Sequence, residues 1–215
     1  MARGHPKQYL SLVGKPMLWH AVRALCAVDV VNVFVVLAPQ DAEFARHDWS
    51  EFGGRVEPLY CGGATRRDSV YNGLVAASAA VDVDDWMLVH DAARPCLPRA
   101  DLEALIAECA SDSVGGILAL PVADTVKRMG KDEAGVHRVA ATEERAQLWL
   151  AQTPQMFRAG LLAQALRDAR GPVTDESSAI ERLGLRPRMV TGSRENLKVT
   201  FAEDVAIAEA ILRNR

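Results

Sequence analysis

The order of apolar segments along the chain is the feature that most constrains its fold. Short apolar runs typical of buried strands alternate with longer segments in which apolar residues recur at helical spacing. This alternation favours an α/β fold in which helices cover a doubly wound, mainly parallel sheet. Helices are predicted at residues 17–28, 66–80, 98–111, 158–170 and 174–183, and a last helix from Phe201. Thr200 and Glu203 resemble a capping box at the start of this last helix. Strands are predicted at residues 30–39, 86–89, 114–122 and 196–200.

The composition fits a single domain over residues 1–215. Of the 215 residues 49% are hydrophobic, enough for a substantial core. The net charge of −3 gives no global basic field, so we expect no binding to nucleic acid. We also expect no membrane segment, since no apolar run reaches about 18 residues. The four cysteines form no CxxC pair, which favours reduced thiols in the cytoplasm and argues against a thiolate metal site.

Residues 125–155 interrupt the alternation of strands and helices. Two strand-like pieces flank the turn-rich sequence GKDEAG, which predicts a β-hairpin. The segment ends in the apolar sequence LWLAQTPQMF, whose Leu148, Trp149 and Leu150 need cover. The segment is interpreted either as a plain surface arm or as an arm that packs on a partner subunit.

The sequence WMLVHDAARP, residues 86–95, ends an apolar run in a carboxylate and an arginine. In open α/β sheets ligands bind just beyond the carboxyl ends of strands, where Asp91 is expected to lie. A strand-end aspartate also commonly caps backbone amides, with Arg94 as its surface partner. The local sequence fits both interpretations.

Three other segments combine polar side chains with turn residues. Lys7 follows a proline in PKQY, paired glycines precede Ser69 in CGGATRRDSV, and Thr174 and Lys198 lie in TDESSA and ENLKVT. Taken singly, Lys7 and Lys198 are interpreted as exposed lysines, the paired glycines as a turn and Thr174 as a helix cap. A function is indicated only by their joint pattern.

Seven short motifs follow one another along the chain: PKQY, GGxxRxxSV, HDAARP, DTxK, TPQ, TDE and NxKVT. In order and approximate spacing the chain closely resembles the 2-C-methyl-D-erythritol 4-phosphate cytidylyltransferases over essentially its whole length. HDAARP and TDESSA are the most specific. The resemblance implies an enzyme of the non-mevalonate isoprenoid precursor pathway that transfers a cytidylyl group from CTP to the sugar-alcohol phosphate 2-C-methyl-D-erythritol 4-phosphate and releases pyrophosphate.

The same resemblance implies the groups that act on the phosphates. Lys7 matches the family lysine that contacts the α-phosphate, and Lys198 matches a second lysine near the reacting phosphates. Asp91 matches the carboxylate at the Mg²⁺ site. These roles suit the chemistry, because phosphoryl transfer needs cations and Mg²⁺ takes one or two carboxylates together with phosphate oxygens.

Substrate positions are implied in the same way. The positions that hold cytosine and ribose are matched by Gly63, Ala64, Ser69 and Ala92, and those that hold the methylerythritol phosphate by Arg94, Thr125 and Thr174. Arg145 matches an arginine that reaches the neighbouring subunit's site. The resemblance therefore implies a homodimer with residues 125–155 as its dimerisation arm.

The chain departs from the family pattern at its beginning. That pattern opens with a strand and a glycine-rich loop, PAAGxGxRM, which wraps the CTP phosphates, and Met1 falls on the methionine that closes this loop. We therefore expect the first strand and this phosphate cradle to be missing, and Ala64 stands where some relatives carry a carboxylate. An inactive nucleotide-binding homologue and a ribitol-5-phosphate cytidylyltransferase remain as alternatives. An NAD-dependent oxidoreductase is disfavoured, because no G-x-G-x-x-G follows a strand.

Overall fold

Strands and helices alternate along residues 6–215, which are the residues that the computed structural model describes. The helices are α1 Met17–Leu25, α2 Arg66–Ala77, α3 Arg99–Cys109, α4 Ala159–Asp168, α5 Glu176–Glu181 and α6 Glu203–Arg213, with 3₁₀ turns at Lys7–Tyr9, Phe44–Arg46 and Ser50–Phe52. The strands are β1 Ser11–Leu12, β2 Lys15–Pro16, β3 Val33–Val36, β4 Val56–Leu59, β5 Trp86–Val89, β6 Gly115–Pro121, β7 Val126–Lys131, β8 His137–Glu143, β9 Trp149–Arg158 and β10 Arg188–Thr191. No helix in this described part is long and apolar enough to cross a membrane.

The main sheet has the strand order β10-β6-β9-β5. β10 and β6 are parallel, but β9 runs antiparallel to both β6 and β5. The predicted α/β fold is confirmed, whereas the sheet is mixed rather than mainly parallel. The physical reason is β9, which returns from the hairpin and fills the position between two strands that point the same way.

Helices cover the main sheet on both faces. Leu118 of β6 and Met156 of β9 pack with Leu102 and Leu105 of α3 in one apolar cluster. Phe157, the next residue of β9, packs on the other side with α4 and α5 in a second cluster. Because successive strand residues point to opposite faces, a strand buried on both sides reads as a continuous apolar run, as β5 and β6 do.

Two local predictions near the carboxyl end are wrong. Residues 196–200 form no strand, because Val199 donates a single backbone hydrogen bond, to the carbonyl of Ala93 at 2.8 Å. The capping box of Thr200 and Glu203 is also absent. The carboxylate of Asp204 accepts the backbone N–H groups of Thr200 and Phe201 instead, at 2.7 and 2.8 Å.

The predicted β-hairpin is formed by β7 and β8, and most residues of both strands are exposed. Its turn is closed by Asp132, whose N–H donates to the carbonyl of Val136 at 3.0 Å, and by Gly135 at a φ of 76°. Residues 149–155 belong to β9 and pair in the main sheet. The projecting part of the predicted arm is therefore the hairpin alone.

A cavity of about 870 Å³ separates the parallel pair of β3 and β4 from the main sheet. Apolar residues of β3 and β5 line it, and within residues 6–215 no ladder joins those two strands. The prediction of a missing first strand stays a prediction, and Met1, on which it was based, lies outside the described residues.

Candidate active site

The centre of the site is the carboxylate of Asp91, just beyond the carboxyl end of β5. Its side chain is 12% exposed and faces three cations. Nε of Arg66 lies 3.1 Å from Oδ1, and Nζ of Lys198 lies 2.8 Å from Oδ2. Nε of Arg94 lies 4.0 Å from the same Oδ2. Burial raises the pKa of Asp91, but the charges of Arg66 and Lys198 outweigh it and lower the pKa to about 2.

A chain of hydrogen bonds fixes the backbone on either side of this carboxylate. The N–H of Asp91 donates to Oγ1 of Thr153 at 3.0 Å. His90 lies 3.0 Å from the same oxygen through Nδ1 and 3.0 Å from the carbonyl of Arg94 through Nε2. Because a carbonyl only accepts, Nε2 carries the proton and the Thr153 hydroxyl donates to Nδ1. Burial lowers the pKa of His90 to about 4, which agrees with this neutral ring.

Arg94 is buried behind the carboxylate. Its Nη1 donates to the carbonyl of Asn196 at 2.6 Å and its Nη2 to the carbonyl of Ala151 at 3.4 Å. Nε is buried without a hydrogen-bond partner within the described chain. Arg94 therefore joins the loop after β5 to β9 and to the segment that carries Lys198.

The cavity beside β5 brings several predicted residues together. Lys7, Ser69, Ala92 and Lys198 line it with Asp91. The side chain of Lys198 is 47% exposed, whereas Lys7 is half-buried in a 3₁₀ turn. The two lysines and the carboxylate thus line one cavity.

The loop before α2 is close-packed against the first turn of that helix. Oγ of Ser69 accepts the N–H of Gly63 at 3.0 Å, and Thr65 caps the helix by accepting the N–H of Asp68 at 3.1 Å. A Cβ on Gly63 would lie 2.4 Å from the Cβ of Asp68, so only glycine fits there. Ala64 is exposed.

Three predicted residues lie away from the Asp91 cluster. Thr125 is exposed just before β7, and Arg145 is exposed in the turn before β9, where its carbonyl accepts the N–H of Leu148. Thr174 is exposed before α5, and its N–H donates to Oγ of Ser178 at 3.2 Å. Within residues 6–215 none of these three side chains bonds to the cluster.

Sequence reasoning missed the second carboxylate of the site. Glu176, in the first turn of α5, receives two hydrogen bonds from Arg66, at 2.5 and 2.9 Å. The start of α5 is tied to β9 by Gln155, which accepts the N–H of Ser177 at 2.8 Å and donates to Asp175 at 2.9 Å. The sequence did offer a signal for this pair, since two of the motifs carry opposite charges: Arg66 in GGxxRxxSV and Glu176 in TDE.

The donor set permits a magnesium ion only together with a phosphate ligand. Within the described residues no three His, Cys, Asp or Glu side chains form a metal-binding group. Asp91 provides one carboxylate, of which Oδ1 faces Arg66 and Oδ2 faces Lys198. Since Mg²⁺ is commonly held by one or two carboxylates plus substrate phosphates, these residues fit an ion that arrives with a nucleotide.

Comparison with known proteins gives one family. Residues 1–214 match the family described as 2-C-methyl-D-erythritol 4-phosphate cytidylyltransferase. The chain is 57% identical to the enzyme so named from Dechloromonas aromatica, over 98% of this chain and 90% of that protein. It is 56% identical to the one from Laribacter hongkongensis, over 99% and 90% of the two chains.

Solved structures agree with the sequence comparison. A crystal structure of 4-diphosphocytidyl-2C-methyl-D-erythritol synthase superposes with a TM-score of 0.86 at 38% identity, covering 96% of this chain and 95% of that one. The cytidylyltransferase of Thermus thermophilus superposes with a TM-score of 0.78 at 30% identity, covering 98% and 95%. The resemblance inferred from seven motifs is confirmed, and this chain belongs to the 2-C-methyl-D-erythritol 4-phosphate cytidylyltransferase family.

Proposed function

We propose that this chain transfers a cytidylyl group from CTP to 2-C-methyl-D-erythritol 4-phosphate and releases pyrophosphate, in isoprenoid precursor synthesis. The observation that carries the proposal is the cluster of Arg66, Arg94 and Lys198 about the ionised Asp91, at the end of a cavity large enough for a nucleotide. The family match and the names of the relatives support the same two substrates.

The reaction needs charge stabilisation more than proton transfer. A phosphate oxygen of the acceptor attacks the α-phosphorus of CTP, the bond from that phosphorus to the bridging oxygen of the β-phosphate breaks, and pyrophosphate leaves with the electron pair. The nucleophile is already an anion, so no general base is required. Lys7 and Lys198 are the catalytic residues, because their ammonium groups line the cavity and can offset charge on the phosphoryl oxygens.

Lys198 changes partner when CTP binds. In the free protein its ammonium group faces Oδ2 of Asp91, and the triphosphate offers it stronger anionic partners. Asp91 would then be the residue that holds Mg²⁺, together with phosphate oxygens of CTP. The bound ion supplies charge neutralisation at the α-phosphate.

The nucleotide is held largely by backbone groups beside small residues. Gly63 lets this loop pack against the first turn of α2, the exposed Ala64 leaves room for a pyrimidine beside it, and Ser69 fixes the loop through its bond to Gly63. Ala92 lines the cavity beside β5, directly after Asp91. A larger side chain at Ala64 or Ala92 would take space from the cytosine or the ribose.

The acceptor phosphate is bound by Arg94, Thr125 and Thr174. A charged N–H donor suits a phosphate, and Nε is the donor that Arg94 has left for it, because Nη1 and Nη2 donate to the carbonyls of Asn196 and Ala151. The buried, unpartnered Nε of Arg94 supports the proposal, because it is a donor still available on the side of Asp91. Thr125 and Thr174 are exposed and reach the acceptor once it is bound.

We propose a homodimer in which Arg145 acts in the partner's site. The hairpin of β7 and β8 supports this, because it exposes large apolar side chains, among them Val139, which is 66% exposed, and Met129, which is 59% exposed. Such a surface on a projecting arm is typical of an interface. The four free cysteines suit a reducing compartment, and we propose that the enzyme acts in the cytoplasm.

An assay of pyrophosphate release tests the function. With CTP and Mg²⁺ present, we expect turnover with 2-C-methyl-D-erythritol 4-phosphate and much less with ribitol 5-phosphate. A preference for ribitol 5-phosphate would overturn the choice of acceptor. Binding of CTP by calorimetry without any turnover would favour an inactive nucleotide-binding homologue.

A further inference from the structure

The guanidinium of Arg66 joins two carboxylates from distant parts of the chain. Its Nε donates to Oδ1 of Asp91 at 3.1 Å, and its Nη1 and Nη2 bond both oxygens of Glu176 at 2.5 and 2.9 Å. Arg66 thus uses all three of its nitrogens at once. Such a planar, three-point contact fixes the direction of each group that it touches.

Glu176 is a carboxylate in an unusually buried position. Its side chain is 1% exposed, and Arg66 is the only side chain within the described residues that pairs with it. A buried ion pair gains little stability over apolar residues of the same size, because removing both charges from water is costly. The pair is therefore better explained by what it positions than by stability.

The first turn of α5, which carries Glu176, is held by several hydrogen bonds. α5 begins with a capping box between Asp175 and Ser178, and the fully buried Gln155 bonds both Asp175 and the N–H of Ser177. β9 therefore holds the first turn of α5, and this turn holds Glu176.

The two oxygens of Asp91 are consequently unequal. Oδ1 is bonded to Arg66, which is anchored through Glu176, whereas Oδ2 faces Lys198, a long and half-exposed side chain that can leave. We infer that Arg66, anchored by Glu176, is a positioning residue that orients the Asp91 carboxylate so that Oδ2 is the oxygen offered to the divalent cation. This inference rests on the proposed magnesium-dependent function and adds to it two residues with a defined role.

Conservative substitutions separate this role from simple packing. Arg66→Lys keeps the positive charge but cannot contact both carboxylates in one plane, and Glu176→Gln keeps the size of the side chain but removes its charge. Arg67→Lys is the matched control, because Arg67 is the next residue of α2 and its guanidinium donates to the carbonyl of Leu166 at 2.9 Å, away from Asp91.

The test measures binding of Mn²⁺ by electron paramagnetic resonance in the presence of α,β-methylene CTP, which cannot react. Loss of a group that orients a metal ligand weakens metal binding by about 10- to 100-fold. We expect an increase of this size in the Kd for Mn²⁺ in Arg66→Lys and in Glu176→Gln, and a change below about twofold in Arg67→Lys. Glu176 acts on Asp91 only through Arg66. The double variant should therefore bind Mn²⁺ no more weakly than the weaker-binding single variant.

Unfolding in urea completes the experiment. Both variants are expected to lose stability, as is the control, so a loss of stability with an unchanged Kd for Mn²⁺ in folded Arg66→Lys would overturn the inference. If Glu176→Gln does not fold, Arg66→Lys alone decides. A wild-type protein that binds Mn²⁺ in this assay but transfers no cytidylyl group would refute the proposed function while leaving the positioning role of Arg66 intact.

Discussion

Asp91→Asn should lower the stability of the protein moderately and its turnover severely. The pKa of Asp91 lies at about 2 instead of 3.8, and each pH unit corresponds to about 1.4 kcal/mol, so ionised Asp91 stabilises the folded state by about 2 kcal/mol. At 12% exposure, solvent screens little of this contribution. For a chain of this length the loss corresponds to a decrease in Tm of about 4–8 °C.

The stability difference should depend on pH in one direction. A carboxyl group with a lowered pKa in the folded state stabilises the protein above its unfolded pKa of about 4, and this contribution disappears as the pH falls through about 2. The free energies of unfolding of wild type and Asp91→Asn, measured in urea, should therefore differ by about 2 kcal/mol at pH 6 and converge towards pH 2. The exposed Asp84→Asn variant is the control, and its difference from wild type should stay small at all pH values.

Turnover should fall at least about a hundredfold in Asp91→Asn, since stabilisation of phosphoryl charge by a bound metal ion is worth several kcal/mol. Activity is measured as pyrophosphate release per folded molecule at 25 °C. If the stability difference is the same at pH 6 and pH 2, the cations do not stabilise the charge of Asp91. If activity per folded molecule is normal while the Tm falls, Asp91 is a structural cap and not a metal ligand.

Three further changes test other parts of the site. Mixing Arg145→Ala subunits with Lys7→Ala subunits should restore pyrophosphate release, because each mixed dimer holds one intact composite site; no recovery in verified heterodimers would exclude a shared site. Thr153→Val should cost about 1–3 kcal/mol of unfolding free energy in urea, because it leaves the Asp91 N–H without an acceptor, and Thr153→Ser should cost much less. Gly63→Ala should cost about 1–3 kcal/mol by the same measurement, because the new Cβ overlaps Asp68; an unchanged stability would show that the loop relaxes freely.

Much of the fold could be predicted from periodicity, and the site only partly. Apolar runs such as residues 86–89 and 115–121 indicate buried strands wherever they pair, so the α/β class was predictable. The direction of β9 was not, because a strand's sequence does not show which neighbours it pairs with. Residues 196–200 have the composition of a strand but make too few backbone bonds for one.

The same limit explains the incomplete prediction of the site. Asp91 could be assigned because the end of a strand is a local feature. The contact between Arg66 and Glu176 joins residues 110 positions apart, and only the packing of α5 on β9 brings them together. A list of motifs contains both residues but does not show that one holds the other.

The central position of β9 sets a condition on synthesis of the chain. β5 and β6 both pair with β9 and not with each other, so neither gains that neighbour until residue 158 has left the ribosome. At about 5–20 residues per second, β5 waits roughly 3–14 seconds for it. During this interval the nascent chain presents apolar strand edges to other chains, so a ribosome that stalls within the hairpin of β7 and β8 releases an aggregation-prone fragment.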